Sequence, residues 1–451
     1  MTKTSASEKD PQFPSEPVDA VVTPVQRFIH TEVSGGLVLL LAAGLALFAA
    51  NSSLGSAYEA IWQTSIGLRI DGFLFEHSLR HWINDGLVTL FFFVVGLEIK
   101  REIVLGELSV PGALILPAVA AAGGMVVPAA LYLALVSGPE AAAGWGAVMA
   151  TDIAFVVGGM ALLGKRIPRS LYVFMLSLAI ADDVGAILVI AVGYSHDVNF
   201  LALGLGGAGL LVVAAMRWLG VRVQLAYWGV GLLIWLAVHE SGVHATVVGV
   251  ALGLLTPVKP WVDENRLNSF LDWGRKAKEP EGPPNAKPEV VHQRLARAAK
   301  ESLSTQQQLE ARLHPWTAFI VLPLFALANA GIAVSAVTGF DSIALATAAG
   351  LAIGKPFGIV AFTWLAVTLK VAALPKGVTW SMLLGAGMLA GIGFTMALFV
   401  AQIAFQGAAL DSAKLGILAG SLISALAGLG LLFVVGRKPA SVAGSGSKAG
   451  R

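Results

Sequence analysis

Long apolar runs separated by short polar joints fill most of this chain. The runs fall at approximately 29–51, 82–98, 112–136, 143–163, 170–194, 199–216, 225–238, 243–256, 315–334, 344–368, 380–405 and 413–436. As helices, most are long enough, or nearly so, to cross a hydrocarbon core of about 30 Å. They lack the apolar/polar alternation of barrel strands. The pattern predicts an all-α polytopic membrane protein with about twelve transmembrane helices. The run at 243–256 is too short to cross without leaning on its neighbours or distorting the bilayer. The first run is too long for a signal-peptide core and is expected to be retained as a span.

The polar stretches divide the chain. Residues 1–27 form an N-terminal extension, and residues 28–256 carry spans 1–8. An outer segment near 66–76 alternates around Asp71-Gly72, the turn chemistry of a β-hairpin. Residues 257–314 form a polar insert, with proline and charge concentrated in 276–288 and a helix expected over 289–310. Spans 9–12 occupy 315–436, and the Gly/Ser/Ala tail 437–451 is expected to be disordered.

Composition supports the bilayer reading. Hydrophobic residues make up 56% and charged residues 13%, about half the charge of a soluble protein. No single soluble core uses that much apolar residue. A net charge of +2 points to no particular partner, nucleic acid included. The absence of cysteine excludes disulfides and thiolate metal sites. With the N-terminus placed inside, all but four of the 30 Lys and Arg fall on the inner side; Arg69, Arg80 and Lys414 lie outside, and Lys355 stays within the membrane. The positive-inside rule therefore puts both termini and the insert in the cytoplasm. Gly204, Gly206 and Gly209 match a dinucleotide fingerprint but lie inside a span with no strand before them, so they predict helix packing, as do Gly416 and Gly420.

Away from span ends, four formal charges remain: Asp152, Asp182, Asp183 and Lys355. Each costs roughly 2.5–3.5 kcal/mol at a helix centre unless it pairs, protonates or binds an ion. Such residues mark function and are expected to meet. A structural ion pair between Lys355 and one aspartate leaves two acids over. Three acids against one base favour cations, and a carboxylate in low dielectric also holds a proton near neutral pH. Neighbours on a helix point about 100° apart, so one of Asp182 and Asp183 can face an ion while the other faces another helix, such as that of Lys355. Thr151 adds a hydroxyl beside Asp152. Polar residues at Ala150-Thr151-Asp152 and glycines at Gly391-Ile392-Gly393 interrupt the fourth and eleventh runs. They predict two discontinuous helices whose ends carry partial charges. Spans 3-5 and 10-12 each place a break in their middle member, the arrangement of inverted repeats.

These residues lie in strings that together resemble the NhaA family of bacterial sodium/proton antiporters, which the general account of inverted-repeat transporters already includes. The strings are Trp82-Ile-Asn-Asp85, Gly96-Leu-Glu-Ile-Lys-Arg-Glu102, Ala150-Thr-Asp-Ile-Ala-Phe155, Ala181-Asp-Asp-Val-Gly185, Ser241-Gly-Val-His-Ala-Thr246, Leu313-His-Pro-Trp316, Gly354-Lys-Pro356 and Ala390-Gly-Ile-Gly-Phe-Thr395. The resemblance runs from about Arg27 to Gly436. It implies that Asp182 and Asp183 bind the sodium ion and the proton, with Thr151 and Asp152 beside them. It implies that Asp152 and Lys355 balance the broken-helix ends and that Lys355 pairs with Asp182. It also implies pH sensing by Glu98, Arg101, Glu102, His244, Glu310 and His314, electrogenic exchange, and an inner-membrane homodimer joined through the outer hairpin. The N-terminal extension and the insert depart from the family pattern.

No enzyme, catalytic residue or cofactor is expected. An intramembrane aspartyl protease has no use for Lys355, and the Gly391-x-Gly393 pair is not followed by Asp. His239-Glu240 and His244 miss the HExxH spacing by one residue, and His77 and His81, four apart, stand alone. A sodium-coupled symporter for an organic solute would need recognition groups that these spans lack.

Overall fold

The computed structural model describes residues 32–70, 73–106, 111–195, 197–221, 223–277, 287–333 and 339–436. The extension 1–27, the turn residues Asp71 and Gly72, and the tail 437–451 lie outside them. Apart from one hairpin the described chain is helical. Helix α1 (Glu32–Ala50) meets α2 (Gly55–Gln63) at 114°. Strands β1 (Ser65–Ile70) and β2 (Phe73–Ser78) pair antiparallel on either side of Asp71-Gly72, with Ile70 opposite Phe73 and Ser65 opposite Ser78. Helix α3 covers 79–104 and contains a π turn at Trp82–Leu87. Helix α4 (Pro111–Leu135) carries two internal prolines, Pro117 and Pro128.

After a short irregular stretch come α5 (Ile153–Leu163), α6 (Arg169–Gly193), α7 (Phe200–Trp218), α8 (Gln224–His239) and α9 (Thr246–Leu255). The insert holds α10 (Glu264–Lys276) and α11 (Pro288–Glu301). The last group is α12 (Thr305–Asn329), α13 (Ser342–Thr368), α14 (Trp380–Ala390), α15 (Phe394–Ala404) and α16 (Gly407–Val435).

Side chains at the loops set where several helices begin. Asn199 accepts from the amides of Leu201 and Ala202, Asp341 from Ala344, Thr379 from Met382 and Asp263 from Arg266. Each satisfies a donor that the first turn leaves unpaired. Ser304 and Gln307 form a reciprocal capping box at the start of α12. That cap divides the helix expected over 289–310: α11 ends at Glu301, and α12 begins ten residues before the expected span. A reading by hydropathy starts a span only where charge stops, so it misses a helix that carries its polar turns in continuously. For the same reason α16 begins before its expected start, at Gly407, and Lys414 within it is buried in the protein 3.9 Å from Asp411.

Six described helices are long and apolar enough to cross a membrane, and the two bent pairs raise this to eight. Helices α8 and α9 are apolar but have 16 and 10 residues. At 1.5 Å per residue, the ten of α9 span about 15 Å, half a hydrocarbon core. Its packing is close: Gly249 and Gly253 bring its backbone against Thr89, Phe93 and Gly96 of α3. Exposed leucines on α7, Leu201, Leu205 and Leu211, turn an apolar face outward, as lipid-facing helices do.

Glycine packing also joins other pairs. A Cβ on Gly206 or Gly209 of α7 would run into Val238 or Ile234 of α8, whereas Gly204 faces open space. Gly416 and Gly420 of α16 sit against Ala344 and Ala348 of α13. Helices α4 and α13 lie antiparallel, with Gly123 against Gly358 and Pro128 against Gly354. Helix α12 runs antiparallel to α3, pairing Asn329 with Asn84 at one end and Glu310 with Arg101 at the other.

Candidate functional site

Two interruptions meet in the middle of the bundle. The chain after Pro139–Ala142 and Ala143–Gly146 loses helical form and resumes it at Ile153. Helices α14 and α15 are separated by residues 391–393 and bend by 48°. The amide of Asp152 donates to Ile392 O at 2.8 Å, and the Thr151 hydroxyl donates to Ala390 O at 3.0 Å. Each break thus supplies partners for backbone groups freed in the other, which irregular backbone at membrane depth requires. Glycine is needed at 391, where a side chain would strike Leu351 O and Ser424.

Asp152 stands immediately before α5 and reaches across to the start of α15. Its Oδ2 accepts from the Thr395 amide at 3.2 Å and from the Thr395 hydroxyl. The carboxylate therefore lies where two helix N-termini place partial positive charge. Lys355 lies on α13 directly after a π turn at Gly350–Gly354, a distortion frequent at functional positions. Its Nζ donates to Met149 O, in the stretch leading into the first break, and to Asp182 Oδ2 at 2.6 Å. Lys355 is 0% exposed and Asp182 1%, so this ion pair is fully buried.

Asp182 and Asp183 sit on consecutive positions of α6 and have different surroundings. Asp182 Oδ1 accepts no hydrogen bond among the described residues. Asp183, 6% exposed, makes no hydrogen bond or ion pair among them. Glu98 of α3 is close enough to act on Asp183 electrostatically. A buried carboxylate without a partner is costly unless it holds a proton or a cation.

The residues expected to sense pH are divided by the fold. Arg101 bonds Glu310 and lies 3.4 Å from Glu102 Oε1, and Gln306 donates to Glu310. His314 Nδ1 is 3.7 Å from Glu98 Oε1. These five candidates cluster where α3 and α12 meet, next to the insert. His244 precedes α9 beside Phe399, at the hairpin end of the bundle. About 20 Å of helix separates Asp85, at that end, from Glu98, at 1.5 Å per residue.

Sequence reasoning missed Thr395, which holds Asp152, although it closes the Ala390–Thr395 string. It also missed a network of amides: Asn329 donates to Asn84 Oδ1 at 2.7 Å, and Gln402 donates to Asn329 Oδ1 at 2.6 Å. The polar character of Asn329 and Gln402 inside apolar runs was the available signal.

Apolar helices with outward leucine faces and charges gathered at their centre define a multi-pass membrane protein. A family model described as Na+/H+ antiporter 1 matches residues 26–432. Similar proteins include Na(+)/H(+) antiporter NhaA 2 of Acidiphilium cryptum, 49% identical over 97% of this chain and 98% of its own length. Na(+)/H(+) antiporter NhaA of Rhodopirellula baltica is 48% identical over 95% of this chain and 97% of its own, and that of Rhizobium meliloti 48% over 92% and 96%. The chain belongs to the NhaA family of Na+/H+ antiporters.

Proposed function

We propose that this protein exchanges sodium ions, and lithium ions, for protons across the bacterial inner membrane, serving sodium and pH homeostasis. The observation that carries the reading is the charge balance of the buried site: Lys355 pairs with Asp182 at 2.6 Å, while Asp183 makes no hydrogen bond or close ion pair among the described residues and feels Lys355 only at longer range. Asp183 holds either a sodium ion or a proton, never both. Asp182 exchanges its proton for sodium, or returns to Lys355 when sodium leaves. Oxygen ligands suit a hard cation, and Asp182 Oδ1, Asp183 and the hydroxyl of Thr151 are the nearest sources. Asp152 and Lys355 stabilise the two helix breaks through which alternating access operates.

More protons than sodium ions then move per cycle, so exchange is electrogenic. In this reading twelve spans cross the membrane, α8 and α9 among them. The triplets α4 to α6 and α13 to α16, with α14 and α15 counted as one broken span, form inverted repeats, a relation supported by the antiparallel packing of α4 on α13. Both termini and the insert are cytoplasmic. The hairpin is then outside and joins two copies into a homodimer. The Glu98, Arg101, Glu102, Glu310 and His314 cluster sets cytoplasmic access as pH changes, with His244 acting from the opposite end. No cofactor takes part.

The test is proton flux into or out of proteoliposomes on addition of sodium with no other solute present. Sodium-dependent flux in the wild type, and none in Asp183→Asn, is the expected result. Flux that requires an added organic solute would favour a symporter instead.

A further inference from the structure

His77 and His81, which stand alone in the sequence, acquire a third member in the fold. One ligating atom from each of His77, His81 and His239 lies within 4.8 Å of the others. The three come from β2, the start of α3 and the end of α8. The His77 and His81 rings stack at 4.2 Å, and His239 meets them edge-on at 5.3 and 5.4 Å. A carboxylate adjoins them: Asp85 Oδ2 is 3.4 Å from His81 Nε2 and 4.0 Å from His239 Nδ1. His81 Nε2 is buried and makes no hydrogen bond among the described residues.

We propose that His77, His81 and His239 form a binding site for a transition-metal dication of the zinc class. Three neutral imidazoles suit zinc, copper or nickel and not sodium or magnesium, whose ligands are oxygens. Zn–N bonds of about 2.0–2.1 Å put ligand nitrogens roughly 3.4 Å apart around a tetrahedral ion. The observed spacing thus closes by small ring rotations. A metal gives the buried His81 nitrogen, which makes no hydrogen bond among the described residues, a direct bond. Asp85 supplies the negative charge that histidine sites recruit, as a fourth ligand or as the carboxylate that orients one.

The frame around the site is already ordered. His239 stacks on Trp235 at 5.3 Å and 11°, and the Trp235 indole donates to Asp85 O and Thr89 Oγ1, both at 3.1 Å. A bound ion would tie the hairpin, α3 and α8 together at the end of the bundle remote from the Glu98 cluster. The site is independent of the sodium-binding reading, since none of its residues touches Asp182 or Asp183.

The experiment uses tag-free full-length protein in detergent, titrated with Zn2+ by calorimetry and with Co2+ by visible absorption. One Zn2+ per chain is expected, together with the absorption of a tetrahedral nitrogen-bound Co2+. His77→Ala, His81→Ala and His239→Ala should each weaken binding by about 100-fold or more, beyond the loss from a supporting residue. His77→Gln, on the hairpin strand and away from the helical core, gives the same result without risk to the fold. His292→Ala, on α11, should bind as the wild type does. No stoichiometric binding by the wild type, or binding that survives replacement of all three histidines, would overturn the site.

Discussion

At the scale of single residues, two adjacent acids on one helix are given different surroundings by a rotation of about 100°. Asp182 meets Lys355 at 2.6 Å, and Asp183 makes no hydrogen bond or close ion pair among the described residues. Asp183→Asn preserves shape but removes the charge a cation needs. Sodium-dependent proton flux should then fall to the background of empty vesicles, and full-rate exchange would show that the ion binds elsewhere. Asp182→Asn should abolish exchange or remove its electrogenic part, which flux and membrane current recorded on the same vesicles separate. Lys355 behaves differently because it is 0% exposed and holds both Asp182 and Met149 O. Its loss leaves a buried acid unpaired. Lys355→Ala should destabilise the protein by about 3–5 kcal/mol, the usual effect of removing one member of a buried pair. Thermal unfolding in detergent measures this, and a variant as stable as the wild type would mean that Asp182 is protonated when the lysine is gone.

At the scale of elements, the site depends on two helix interruptions that complete each other. Asp152 closes the arrangement by accepting from Thr395 at the head of α15. Thr395→Val keeps the volume and the backbone amide but removes the hydroxyl donor. A hydrogen bond to a charged group contributes about 1.5–3 kcal/mol. The variant should therefore fold, lose stability on that order and exchange sodium more slowly, as unfolding and flux measurements would record together. Unchanged values in both would place Asp152 under the control of the amide alone. The breaks themselves were legible, because Thr-Asp and Gly-x-Gly stand out within apolar runs. The π turn before Lys355 was not, since no residue type demands it. Thr395 was hidden for another reason: a hydroxyl at the start of a helix has many local partners, and only the fold brings it to Asp152. Likewise His239 joins His77 and His81 only because α8 returns to the start of α3.

At the scale of the molecule, the distribution of Lys and Arg predicts an orientation, and the hairpin is the surface proposed for assembly. The insert folds as α10 and α11, joined by Gly274 against Leu295 and by Arg294 over Trp273 at 5.4 Å. If it is cytoplasmic, Glu289→Cys in this cysteine-free chain should resist an impermeant thiol reagent in intact cells and react in inside-out vesicles. Labelling from outside would reverse the topology. At the other end, the sheet among the described residues has two strands, β1 and β2. Two strands alone are marginally stable and leave unpaired backbone groups at both edges. In the proposed dimer, pairing with the hairpin of a second copy would satisfy one edge on each protomer and extend the sheet to four strands. The buried site lies in the helices and takes no residue from the hairpin. Deleting residues 69–75 should therefore shift the protein from dimer to monomer in light-scattering measurements while leaving measurable sodium/proton exchange. A dimer that persists after the deletion would assign the interface to the helices, and loss of exchange from an intact monomer would mean that transport itself needs the second copy.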